Sequence, residues 1–162
     1  MIETTDAVLR EALTAALAVP RWVEDVASRA PFDSLEQLLL VAYAEATPLS
    51  HDEITEAIAH HPRIGEKPVG VGTAQAHSAA EQASLGRAEP ELAAAIAAGN
   101  RAYEERFGRV FIIRAKGRDR AEILAELTRR LELDDATEIQ IVGEQLRDIA
   151  LLRLTTTFGE EP

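Results

Sequence analysis

Apolar residues recur at three- and four-residue intervals through segment after segment of this chain, and most intervals open on a capping residue or close on a proline. Leu35, Leu38, Leu39, Ala42 and Tyr43 follow Ser34 in this way and stop at Thr47-Pro48. Such spacing gathers side chains on one face of an α-helix, whereas a half-buried strand would alternate them. Aromatic residues make up 4% of the chain, so its core has to come from Leu, Ile, Val and Ala. Alanine and leucine at this density, among Glu and Arg, favour helix over sheet. The 162 residues suit one domain, 1–162, long enough to bury about two-thirds of its unfolded surface. The expected fold class is all-α: a single compact domain of about eight helices with one short extended segment.

The elements follow from the punctuation. Residues 5–18 form a helix with Val8, Leu9, Ala12, Leu13, Ala16 and Leu17 at helical spacing, and Pro20 starts a short second helix to Ser28. The third follows Ser34. Ser50 and Glu53 have the reciprocal capping form and open a helix to about His60. A loop with two prolines and three glycines covers 61–72, then helices cover 73–86 and 89–107, the second ended by Gly108. Val110 to Arg114 is a short apolar run. Asp119 with Glu122 begins a helix to Leu131, and a last helix over 135–155 buries Ile139, Val142, Leu146, Ile149 and Leu152.

The net charge of −11 argues against nucleic acid, whose phosphates call for a cationic surface. No apolar run reaches the roughly 18 residues of a membrane span, and the amino terminus has no signal-peptide pattern. Zero cysteines exclude disulfide and thiolate chemistry and agree with a cytoplasmic setting. One stretch runs against the overall charge: Arg106, Arg109, Arg114, Lys116, Arg118 and Arg120 stand against a single Asp119. It reads either as a solvated rim or as a local positive field for a small anion.

Few residues can carry chemistry. His61 precedes Pro62, and a pre-proline residue is driven out of the α region, so the helix before it should end there. An imidazole held at such a point can serve as a general acid or base near neutrality. It can equally do no more than favour the helix C-terminal dipole. Ser78, Glu81 and Gln82 lie three and four residues apart, hence on one helical face. That face offers a hydroxyl, a carboxylate and an amide to a urea-like edge, unless Ser78 is merely a cap to which Glu81 reaches back. The run Phe111, Ile112, Ile113, Arg114, Ala115 either fills the core or lends backbone N–H groups to a carboxylate or a developing oxyanion.

Other chemistries find less support. His77 and Glu81 have the spacing of two metal ligands on a helix, without a further pair to complete a site. Gly70-Val71-Gly72 lacks the third glycine and lysine of a phosphate loop, and no nucleophile elbow occurs. Neither a metal nor a bound nucleotide is expected from these spacings.

Three segments in order carry a resemblance: His61-Pro62-Arg63-Ile64-Gly65-Glu66-Lys67, Ser78-Ala79-Ala80-Glu81-Gln82, and Phe107-Gly108-Arg109-Val110-Phe111-Ile112-Ile113-Arg114-Ala115. Together they resemble the 2-oxo-4-hydroxy-4-carboxy-5-ureidoimidazoline (OHCU) decarboxylases of urate breakdown, over nearly the whole chain. The resemblance implies an all-helical homodimer without cofactor, acting on a small anionic ureido-imidazoline to give S-allantoin. It implies His61 and Glu81 as catalytic residues. Pro62, Ser78, Gln82, Phe111, Ile112, Ile113, Arg114, Ala115 and Arg153 would bind the substrate. Ile64-Gly65 departs from the Leu-Ala or Leu-Gly of many members without removing a polar group. The chain would then perform the decarboxylation step alone. Rival readings are an acidic helical adaptor using its apolar faces, and a metal-dependent hydrolase.

Overall fold

The computed structural model describes residues 2–61, 73–83, 85 and 89–159. Among them are eight α-helices and no β-strand, so the fold is all-α. Residues 2–57 and 143–159 form one compact unit, and the described residues from 58 to 142 form another.

The first unit contains α1 (Asp6–Ala16), α2 (Pro20–Ala27), α3 (Leu35–Glu45) and α4 (His51–Ile58) but for its last residue, with the later turns of α8 (Asp135–Phe158). The capping residues behave as their chemistry dictates. Thr5 and Ser34 accept from the N–H groups of Val8 and Gln37, while Ser50 and Glu53 cap each other at 3.1 and 2.9 Å. Pro20 stands in the first turn of α2, where its missing N–H costs nothing. Leu9, Leu13, Leu17, Trp22, Val26, Phe32, Leu38, Leu146 and Leu154 are buried apolar residues of this unit. The indole N–H of Trp22 donates to the Ala42 carbonyl at 3.0 Å, which satisfies the one polar atom of that side chain. Its ion pairs lie at the surface, with Arg21 gripping Glu53 at 2.6 and 3.1 Å and Arg10 holding Asp6 and Glu24.

Several expected positions shift. Val8 is 52% exposed, because it stands about 100° around α1 from Leu9. Leu38 and Ala42 carry the buried face of α3, while Leu40 and Tyr43 are 65% and 45% exposed. The Tyr43 ring instead carries the guanidinium of Arg147, 4.4 Å from its centroid. On α8 the stripe of 139, 142, 146 and 149 continues to 153, so Arg153 and Leu154 are buried and Leu152 is half-buried. That helix also extends to Phe158. His60 lies in the turn after α4 rather than inside the helix.

The second unit contains α5 (Thr73–Ala83), α6 (Pro90–Phe107), α7 (Arg120–Leu131) and the first turns of α8. Gly108 ends α6 with φ +72°, a left-handed cap that residues with a side chain rarely adopt. The expected extended segment follows as non-helical, largely buried backbone over 110–115, and a turn leads to the Asp119–Glu122 capping box of α7. α6 packs on α7, and Tyr103, Phe111, Ile113, Ala115, Ile123 and Leu127 form one apolar cluster there. Among the described residues no helix is long and apolar enough to cross a membrane.

Candidate functional site

The polar trio on α5 has the geometry that its spacing requires. Ser78 is buried and Glu81 and Gln82 are half-buried, whereas Ala76's neighbours on the far side, Ala79, Ala80 and Ala83, are exposed. Ser78 sits in the middle of an eleven-residue helix, so it is not an N-cap. The capping alternative is thereby removed, and the trio is a polar set on the covered face of a helix. His61 comes directly after the turn that closes α4, its N–H donating to the Ile58 carbonyl at 3.0 Å, and it is half-buried. Its neighbour Pro62, with the loop to Gly72, lies outside the described residues.

His61, the α5 trio and the 110–115 segment all belong to the second unit. Phe111, Ile112, Ile113 and Ala115 are buried and Arg114 is half-buried. Arg153 belongs to the first unit, where it is 4% exposed and its Nη1 donates to the Ala15 carbonyl at 3.0 Å. Ala15 stands in the last turn of α1, whose terminal carbonyls have no helical partner, so a cation is well placed there. Among the described residues no cluster of three or more His, Asp or Glu could hold a metal ion.

The cationic run beside the segment is engaged largely with the backbone. Arg106 donates to Leu133 O at 2.7 Å, Arg120 to Leu85 O at 3.0 Å and Arg118 to Arg114 O at 3.0 Å. Arg109 pairs with Asp135 at 3.0 Å. These side chains therefore tie irregular backbone and helix ends together, a use that neither reading of the run anticipated.

Three residues beneath the segment also escaped the sequence reading. Arg130 and Glu138 are both 0% exposed and form a forked ion pair, Nε to Oε1 at 2.8 Å and Nη2 to Oε2 at 2.6 Å. The phenol of Tyr103 donates to the same Glu138 oxygen. Burial, with that hydrogen bond to a carboxylate, pushes the Tyr103 hydroxyl well above its ordinary pKa and keeps it a phenol. Arg130 then reaches the segment itself: Nη1 donates to Ile112 O at 2.8 Å, and the guanidinium lies 4.6 Å over the Phe111 ring. A signal existed. Arg130 follows Ile123 and Leu127 at heptad-like spacing, which places a charge on the apolar stripe of α7.

Fold and site thus define an all-α protein that covers a hydroxyl–carboxylate–amide set and ties down a non-helical segment with cations. Residues 3–155 match the family model of OHCU decarboxylase. A 2-oxo-4-hydroxy-4-carboxy-5-ureidoimidazoline decarboxylase of Haloferax volcanii is 30% identical over 142 residues, 86% of this chain and 83% of that protein. The Mus musculus protein of the same name is 32% identical over 136 residues, 82% of this chain and 75% of its own. A crystal structure of OHCU decarboxylase in the presence of (S)-allantoin shares the fold, with TM-score 0.79 and 22% identity, covering 97% of this chain and all of that one. The chain belongs to the OHCU decarboxylase family.

Proposed function

We propose that this chain removes the carboxylate of OHCU and releases (S)-allantoin in urate degradation. The match to the family over residues 3–155 is the observation that carries the reading. The covered Ser78–Glu81–Gln82 face supports it, because a ureido arm presents paired donors and acceptors that such a set can meet.

The chemistry supplies its own electron sink. As the bond from C4 to the carboxylate breaks, its electron pair forms a double bond to the ring carbon bearing the ureido arm, the C=N pair moves onto the ring nitrogen, which takes up a proton, and CO2 departs. The C4 hydroxyl then gives up its proton to become a carbonyl, and a proton is added at the ring carbon that bears the ureido arm. His61 serves as acid and base for these transfers, a task within the range of an imidazole. Glu81 anchors the ureido arm, with Ser78 and Gln82 beside it. Backbone N–H groups over 111–115 oppose the negative charge. Proton delivery to one face yields a single enantiomer. The reading includes a cytoplasmic homodimer, for which exposed Leu40 and Tyr43 on α3 offer apolar surface to a second copy.

OHCU generated in situ from urate, with optical activity of the allantoin followed in time, tests the assignment. Rapid formation of one enantiomer is expected. His61→Ala should lower kcat by about 10²–10⁴-fold, the usual contribution of a general acid–base group. Racemic product at the spontaneous rate would sink the activity, and a fully active His61→Ala protein would sink the role of His61.

A further inference from the structure

Phe111, Ile112, Ile113 and Ala115 are buried, yet among the described residues no strand lies beside them, so something other than a β-ladder must set the direction of their peptide planes. Two arginines do so. Nη1 of Arg130 binds Ile112 O at 2.8 Å, and Nε of Arg118 binds Arg114 O at 3.0 Å. Arg118 is brought back to the segment by a turn in which its N–H donates to Ala115 O at 3.1 Å. Gly117 makes that turn possible with φ +84°.

A trans peptide is planar, with its carbonyl and the next N–H pointing in opposite directions. Among the described residues cis peptides occur before Pro31 and Pro48 alone, so both peptides at issue are trans. Binding Ile112 O therefore turns the N–H of Ile113 away from Arg130. Binding Arg114 O likewise turns the N–H of Ala115 away from Arg118. Among the described residues no backbone carbonyl accepts from either N–H.

We infer that Arg130 and Arg118 are positioning residues: each takes one carbonyl of the segment and thereby presents the N–H groups of Ile113 and Ala115 to the substrate. The inference rests on the decarboxylase reading and sharpens it, from a stretch of backbone to two named donors and the side chains that orient them. It also accounts for the buried fork with Glu138. That carboxylate neutralises Arg130 and holds Nε and Nη2, which leaves Nη1 directed at Ile112. Tyr103 occupies a further lone pair of Glu138 and packs edge-on against Phe111, 5.1 Å between ring centroids.

The test combines kinetics with amide spectra. Lysine at 130 keeps a charge opposite Glu138 but has one nitrogen, which cannot serve both Glu138 and Ile112 O. Arg130→Lys and Arg118→Ala should each raise KM about tenfold with kcat changed far less, since an aimed donor to an anion contributes mainly to binding. Arg129→Ala removes an equal charge from the exposed face of α7, where Arg129 pairs with Glu126, and should leave KM as it was. In the unmodified protein, titration with (S)-allantoin should move the amide resonances of Ile113 and Ala115 more than those of Ile112 and Arg114. Folded Arg130→Lys and Arg118→Ala proteins with unchanged KM would overturn the inference, as would shifts confined to Ile112 and Arg114. Should Arg130→Lys fail to fold, the half-exposed Arg118 and the amide titration decide the matter. Racemic product from the unmodified protein defeats the decarboxylase reading itself; an active parent whose variants keep its KM defeats the inference alone.

Discussion

The two units place their charges in opposite ways. In the first, the core is built of apolar Leu, Val, Trp and Phe, and Arg21–Glu53 and Arg10–Glu24 lie at its surface. In the second, Arg130 and Glu138 stand fully buried among Tyr103, Phe111 and Leu127. A buried pair is a poor way to gain stability, because desolvating both ions offsets most of their attraction. Its geometry explains its presence better. The first unit is helix packed on helix, whose backbone groups satisfy one another. The second contains a non-helical segment with buried carbonyls, and an interior guanidinium can bind one of them where an apolar side chain cannot. Arg153 repeats the device on a small scale in the first unit, at the open end of α1.

The contrast makes predictions of decreasing size. Arg130→Met should destabilise the protein by about 3–5 kcal/mol, since Glu138 would be left buried without a counter-charge. Adding Glu138→Gln should restore much of that loss. Urea unfolding of both proteins checks this, and a small cost for the single change would mean that the pair is not dry. By contrast, Arg21→Ala should cost about 1 kcal/mol or less, its partners being partly in solvent. The hydrogen bond from Arg21 holds Glu53 below the usual carboxylate range. A carboxylate lowered in the folded state contributes above its unfolded pKa and ceases to contribute as pH falls through its folded one. Arg21→Ala should therefore reduce the loss of stability on acidification, and show its largest cost near neutrality.

The smallest effect is spectroscopic. The Tyr103 phenol is raised, so its contribution to stability is complete below about pH 10, the unfolded value, and is lost as pH rises through the folded one. In a Tyr43→Phe protein, phenolate absorbance should stay absent beyond the pH at which free tyrosine ionises. It should then appear together with alkaline unfolding. Ordinary titration of Tyr103 in the folded protein would contradict its burial against Glu138.

Much of the fold was legible because helices are local. Ser34, Ser50 with Glu53, and Asp119 with Glu122 cap where their side chains can reach, and Gly108 ends α6. The trio Ser78, Glu81 and Gln82 was legible for the same reason: three and four residues make one helical face. Errors fell where a face was left to tertiary packing. Val8, Tyr43 and Leu152 satisfy a helical pattern as well as their neighbours do, yet stand at the edge of the buried stripe or outside it. The cationic run was ambiguous because a charge pattern does not say whether a guanidinium meets solvent, an anion or a carbonyl.

The amino-acid sequence by itself determined the helices, their caps, the polar face of α5 and the family, since each depends on residues near in the chain or on motifs in order. Only the tertiary structure decided that Arg130, Glu138 and Tyr103 meet beneath Ile112, and that Arg153 meets Ala15. Partners separated by 35 and 138 positions leave no periodic trace. Their pairing follows from helices packing, and from the cost of any buried charge or carbonyl left without a partner.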